Sequence, residues 1–118
     1  MSARRNSYQA GVVAEGRARE FLERKSYNIL ARRYRNSGGE IDIIARRGDH
    51  LAFVEVKGRK TRDEAAYSIL PRQQARIACA AEVFLAEHSE YANCSASFDA
   101  ILVTPHNACA HIENAFLA

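Results

Sequence analysis

The stretch Gly39-Glu40-Ile41-Asp42-Ile43-Ile44-Ala45, followed after a tight turn by Leu51-Ala52-Phe53-Val54-Glu55-Val56-Lys57, decides the fold. Both segments are rich in β-branched and aromatic residues, the composition of strands that belong in a core. Yet they carry Glu40, Asp42, Glu55 and Lys57. Ionised side chains in such strands are costly unless something pairs them, so these charges read as a site.

Gly48-Asp49 supplies the turn, with Gly in the first central position that a type II′ hairpin requires. That turn predicts the register: Arg47 faces His50, Ala45 faces Ala52, Asp42 faces Glu55 and Glu40 faces Lys57. Alternation then puts Glu40, Asp42, Glu55 and Lys57 on one face, and the apolar Ile41, Ile43, Val54 and Val56 on the other. A slip of one residue would separate Asp42 from Glu55. Two opposed carboxylates repel unless one is protonated or a cation sits between them. Mg²⁺ is commonly held by one or two carboxylates, with water and substrate phosphate completing its shell. Lys57, on the same face, is placed to hold an attacking water or to offset phosphate charge. The other reading is a cross-strand ion-pair ladder on a solvated face, which Glu40 and Lys57 alone would satisfy.

Outward from the hairpin, residues 9–25 read as an amphipathic helix with Val13, Ala14, Ala18, Phe21 and Leu22 on its apolar side, after a loose arm over residues 1–8. Residues 27–34 alternate as a strand, and Asn36-Ser37-Gly38-Gly39 is a turn. Arg59 to Ala65 reads as a polar, flexible loop. Pro71 opens a second helix running to about His88, with Ile77, Ala81, Phe84 and Leu85 as its buried stripe. Residues 98–103 form a further strand, and 111–116 a short last one. The order helix, three strands, helix, then one or two strands predicts a single domain over residues 9–118, an α/β or α+β sandwich of antiparallel strands flanked by helices.

The chain of 118 residues carries a net charge of +3, unevenly spread. Residues 1–62 hold 15 Lys/Arg against 7 Asp/Glu, and residues 63–118 hold 2 against 7. A basic half suits a polyanionic partner and, with the carboxylate pair, points to phosphate chemistry. No apolar run is long enough to span a membrane, and the basic start lacks a signal peptide's apolar stretch, so a cytoplasmic protein is expected. Cys79, Cys94 and Cys109 make neither a disulfide framework nor a zinc motif, and read as reduced thiols in or near the core. His50, His88, His106 and His111 lack metal-ligand spacing.

Asp42 with Glu55-Val56-Lys57 resembles the D…(D/E)-x-K core of the PD-(D/E)XK, or restriction-endonuclease-like, nucleases. The GEID block at 40, the FVEVK block ending at Lys57, Arg59, Glu15 with Ala18 and Phe21-Leu22, Tyr27 to Leu30, and Ile112 to Phe116 resemble the YraN family of small bacterial proteins. The resemblance runs from about Ala10 to Phe116. It implies an αβββαβ fold with a mixed central sheet flanked by helices. It also implies a Mg-dependent (or Mn-dependent) endonuclease, structure-selective in the manner of a Holliday-junction resolvase. Asp42 and Glu55 would be metal ligands, joined by the Val56 carbonyl and by Glu15, directly or through water, with Lys57 the catalytic lysine. DNA is favoured over RNA, since no aromatic stacking platform is apparent. Arg59, Lys60, Arg62 and Arg72 would contact phosphates; Arg17, Arg32, Arg33 and Arg35 are further basic residues, equally readable as solvated surface. Many relatives that cut both strands work as dimers, so the resemblance allows a homodimer by analogy. The alternative is a non-catalytic nucleic-acid-binding or DNA-processing interaction module on the same fold. The chain departs from the family pattern at Ala14, Ser26, Arg33, Gly58 and Gln73, and the last removes a phosphate contact expected on the second helix.

Overall fold

The computed structural model describes residues 3–59, 69–106 and 108–117. Along the chain run α1 (Ala3–Arg24), β1 (Asn28–Asn36), β2 (Gly39–Arg47), β3 (His50–Gly58), α2 (Pro71–Glu87), a 3₁₀ turn (Ser89–Tyr91), β4 (Ser95–Val103) and β5 (Cys109–Phe116). Among the described residues the strands make one sheet in the order β1-β2-β3-β4-β5. All neighbours are antiparallel except β3 and β4, which are parallel and therefore need the crossover that contains α2. This is the expected mixed α/β sheet flanked by helices. Lys60 and Arg62, with most of the predicted polar loop, lie outside the described residues.

The sheet is buried on both faces, which is why β2 and β3 read as nearly unbroken apolar runs. On one side α1 lays Ala14, Ala18 and Leu22 against Ile43, Ala45, Ala52, Val54 and Ile101. On the other α2 lays Ile77, Ala80, Ala81 and Phe84 against Ile44, Leu51, Phe53 and Ala100. Two details of α1 differ from the sequence reading. The helix extends back to Ala3, through residues assigned to the arm, because neither Gly nor Pro interrupts residues 3–10. Val13 is 51% exposed, because it lies about 100° around the helix from Ala14 in the buried stripe. The helix ends in a Schellman motif: Ser26 takes φ 69°, its N–H donates to Glu23 O and the Tyr27 N–H donates to Leu22 O.

The hairpin turn is as expected. Gly48 has φ 60°, Asp49 is not left-handed, and the pairs Arg47–His50, Ala45–Ala52 and Ile43–Val54 form. The ladder between β2 and β3 ends at Ile43–Val54. Beyond it β2 stays paired with β1 down to Asn36–Gly39, while β3 stays paired with β4 to Gly58–Val103. Ile41 therefore departs from the face predicted for it. Freed from β3, it packs with Ile44 and Ile77 in the α2-side core, whereas Ile43 and Val54 remain on the α1 side with Val56 at the margin.

The β1–β2 turn is fastened to α2. A Cβ on Gly39 would lie 2.5 Å from Arg76 O, and one on Gly38 would lie 2.6 Å from Cys79 O, so only glycine permits the approach. Asn36 clasps it further, donating from Nδ2 to Ala80 O at 2.9 Å and accepting the Gly38 N–H at 2.8 Å.

Candidate active site

The parting of β2 from β3 creates the site. Where the ladder would continue, the Val56 N–H donates to Asp42 Oδ2 at 2.8 Å. A side chain thus replaces the backbone partner, and the gap between the strands opens into a cleft of 580 Å³. Glu15 enters it from α1, Asp42 from β2, Glu55 and Lys57 from β3, and Arg72, Gln73 and Arg76 from α2.

Glu55 is the most enclosed of these, 3% exposed. Its Oε1 accepts from Lys57 Nζ at 3.1 Å and from the Gln73 amide. Its Oε2 is buried without a hydrogen-bond partner, and so is Oε1 of Glu15. An acceptor left unpaired away from water is costly, and both of these border one cleft. Burial pushes the Asp42 carboxyl up from its ordinary range against the pull of the Val56 N–H and Lys57, with Glu15 and Glu40 adding to the rise. Burial also raises Glu55, opposed by its bond to Lys57 and reinforced by the charge of Asp42. Negative charge is thus held in the cleft at a cost that a bound cation would relieve.

The Uncharacterised protein family UPF0102 model matches residues 14–103. The chain is 48% identical over 114 residues to a UPF0102 protein of Rhodopseudomonas palustris strain CGA009, covering 97% of this chain and 88% of that one. It is 49% identical over 110 residues to a UPF0102 protein of Bradyrhizobium diazoefficiens, covering 93% and 83%.

The chain belongs to UPF0102.

This is the family that the sequence resemblance names as YraN. In this UPF0102 member the predicted Asp42, Glu55, Val56, Lys57 and Glu15 all line the one cleft, and Arg72 borders it. Two predicted pairings do not form. Asp42 and Glu55 are not opposed in the ladder, because the strands part above them. Glu40 does not meet Lys57 but binds Arg35 and Arg76, each at 3.1 Å, while Lys57 turns to Glu55 on its own strand. Arg59 lies at the end of β3, its N–H donating to Val103 O; it does not line the cleft, although its charge lowers Glu55. Among the described residues no group of three or more His, Cys, Asp and Glu is arranged to hold a metal ion. Of the further basic residues, Arg33 lines the cleft, held at φ 52°. Sequence reasoning missed Arg76 and took Gln73 as a loss, although Arg76 lies four residues after Arg72 and three after Gln73 on α2, the helical spacing that brings it beside both, and all three line the cleft.

A second buried carboxylate lies on the α1 side of the sheet. Asp99, 1% exposed, accepts from His111 Nε2 at 2.9 Å and from the Asn114 N–H at 3.1 Å. Lys25 Nζ lies 2.7 Å from His111 Nδ1, and since an ammonium only donates, Nδ1 accepts and Nε2–H points at Asp99. Phe21 and Tyr27 close over the imidazole edge-on. Burial pushes Asp99 up, but its bonds to His111, Ser97 and Asn114 outweigh this and hold it below the ordinary carboxylate range. The sequence reading assigned neither Asp99 nor His111 a role.

Proposed function

We propose that this UPF0102 protein is a divalent-cation-dependent phosphodiesterase acting on DNA. The observation that carries the reading is the carboxylate pair at the parting of two strands, Asp42 half-buried and Glu55 buried, with a lysine held on Glu55 and an orphaned oxygen beside it. Carboxylate oxygens are the donors that Mg²⁺ or Mn²⁺ prefers, and the orphaned oxygens and raised pKa values fit a cation there. Asp42, Glu55 and the Val56 carbonyl would hold it, with Glu15 reaching it directly or through water. When bound, it supplies Lewis-acid activation of water and charge stabilisation at the phosphodiester oxygens.

The chain's own residues do the rest. Gln73 and Lys57 both donate to Glu55 Oε1, fixing the carboxylate so that Oε2 is left over. Lys57 brings a positive charge to the cleft, where it orients the attacking water and offsets negative charge building on the phosphate. Arg72 and Arg76 on the cleft wall are placed for neighbouring phosphates. The N-terminus of α2 has no side-chain cap and no acidic residue in its first turn, so its positive end adds to that field. Such contacts position a strand without reading its bases, so binding is selective for structure rather than sequence and falls steeply with salt.

The test is cleavage of branched, single-stranded and duplex DNA by purified protein with Mg²⁺ or Mn²⁺. Wild type nicks at least one substrate and Asp42→Ala abolishes it. Equal nicking by both proteins discards the reading. EDTA-insensitive binding without any cleavage replaces it with the non-catalytic binding module.

A further inference from the structure

Glu40 is the acidic residue of strands β2 and β3 that the proposed chemistry does not use. Its two oxygens are divided between two guanidinium groups: Oε2 lies 3.1 Å from Arg35 Nε and Oε1 lies 3.1 Å from Arg76 Nη2. We propose that Glu40 is an internal stand-in for a substrate phosphate, and that Arg35 and Arg76 form a second phosphate subsite which a polynucleotide strand enters by displacing it. The inference rests on the phosphodiester reading of the cleft and extends it to a neighbouring position along the strand.

The first support is chemical. A carboxylate and a phosphodiester present similar oxygen pairs to guanidinium donors, and arginine forks match both. Two arginines on one carboxylate leave a net positive charge, so the cluster still attracts an anion. The second support is exposure. The side chains of Arg35, Arg76 and Glu40 are 78%, 57% and 46% exposed. Ion pairs this open to water hold weakly and exchange readily for another anion.

The third support is placement. A recess of 560 Å³ runs along the β1–β2 turn and is bounded by Arg35, Glu40 and Arg76. Glu40 and Arg76 also line the cleft with Asp42 and Glu55, so the two spaces adjoin at these residues. A strand with one phosphate in the cleft therefore finds its next subsite without leaving the surface. The floor of the recess is preformed, because Gly38 and Gly39 sit against α2 carbonyls and Asn36 binds Ala80 O. The plainer role, tying the hairpin to α2, is already filled by those contacts.

The test uses the full chain in EDTA, so that nothing is cut, and fluorescence anisotropy of a labelled single-stranded oligonucleotide across a salt series. Glu40→Gln frees both arginines and tightens binding about fivefold, and Arg35→Ala with Arg76→Ala weakens it about tenfold while lowering the log–log salt slope by roughly one to two. In that double-alanine background Glu40→Gln adds nothing. Glu82→Gln on the exposed side of α2, the charge control, leaves affinity unmoved. Unchanged or weaker binding by Glu40→Gln, or tightening that survives without the arginines, overturns the subsite and leaves the cleft reading standing. Absence of oligonucleotide binding by wild type in EDTA also overturns the subsite, while cleavage with Mg²⁺ or Mn²⁺ separately decides the cleft reading.

Discussion

Buried Glu55 with half-buried Asp42, and buried Asp99 with His111, are carboxylate centres on the same sheet, and they are opposites. Every oxygen of Asp99 is used, by His111, Ser97 and the Asn114 N–H, and its pKa is lowered. In the cleft Glu55 Oε2 and Glu15 Oε1 have no partner, and Asp42 and Glu55 are both raised. A completed polar network stabilises its surroundings, whereas a deficient one carries a cost that a bound group would relieve. Burial alone therefore does not mark a functional carboxylate; unmet bonding capacity does.

The sharpest way to break this contrast is by activity. On the proposed phosphodiesterase reading, Lys57→Ala lowers the single-turnover cleavage rate about 10³-fold, whereas Asp99→Asn leaves the rate per folded molecule within about threefold, because of the two only Lys57 lines the cleft. Equal losses in the two variants would erase the distinction. Next in size is stability. Asp99→Ala strands His111 and the Asn114 N–H and costs about 3 kcal/mol in urea denaturation.

Asp42→Asn has the opposite sign. Its amide oxygen still accepts the Val56 N–H without a buried charge, so the cation-free protein gains about 1 kcal/mol, or roughly 4 °C in Tm. Mn²⁺ raises the Tm of wild type and not that of Asp42→Asn, since only a ligand that binds the folded state shifts the melt. The smallest effect is the pH profile. Asp42 and Glu55 are raised above their ordinary 3.8 and 4.5 in the folded state. Their contribution is thus full below those values and lost as pH rises through the raised ones. Asp99 is lowered from 3.8, so its contribution is present above that value and lost as pH falls through the depressed one. Melts without metal from about pH 2.5 to about pH 8 therefore peak at mildly acidic pH. Asp42→Asn flattens the decline toward neutral pH, and Asp99→Asn removes the fall in acid.

The Gly48-Asp49 turn and the alternation around it made the hairpin legible down to Ile43 and Val54, because a two-residue turn leaves one register open. The same rules misplaced Ile41 and paired Glu40 with Lys57. They assume that two strands stay together, and here each is drawn away by its other neighbour, β2 by β1 and β3 by β4. Gln73 looked like a missing cation until α2 brought its amide to Glu55. Among the described residues no helix is long and apolar enough to cross a membrane, in keeping with the composition.

Periodicity, turn chemistry and the residues 39–57 by themselves determined the element order, the hairpin register and the identity of the carboxylates and lysine, because each depends on neighbours close along the chain. Tertiary structure alone decided where β2 leaves β3, which arginines take Glu40, and that Asp99 is satisfied while Glu55 is not. Those outcomes depend on which polar groups meet after distant segments pack, and no local pattern records that.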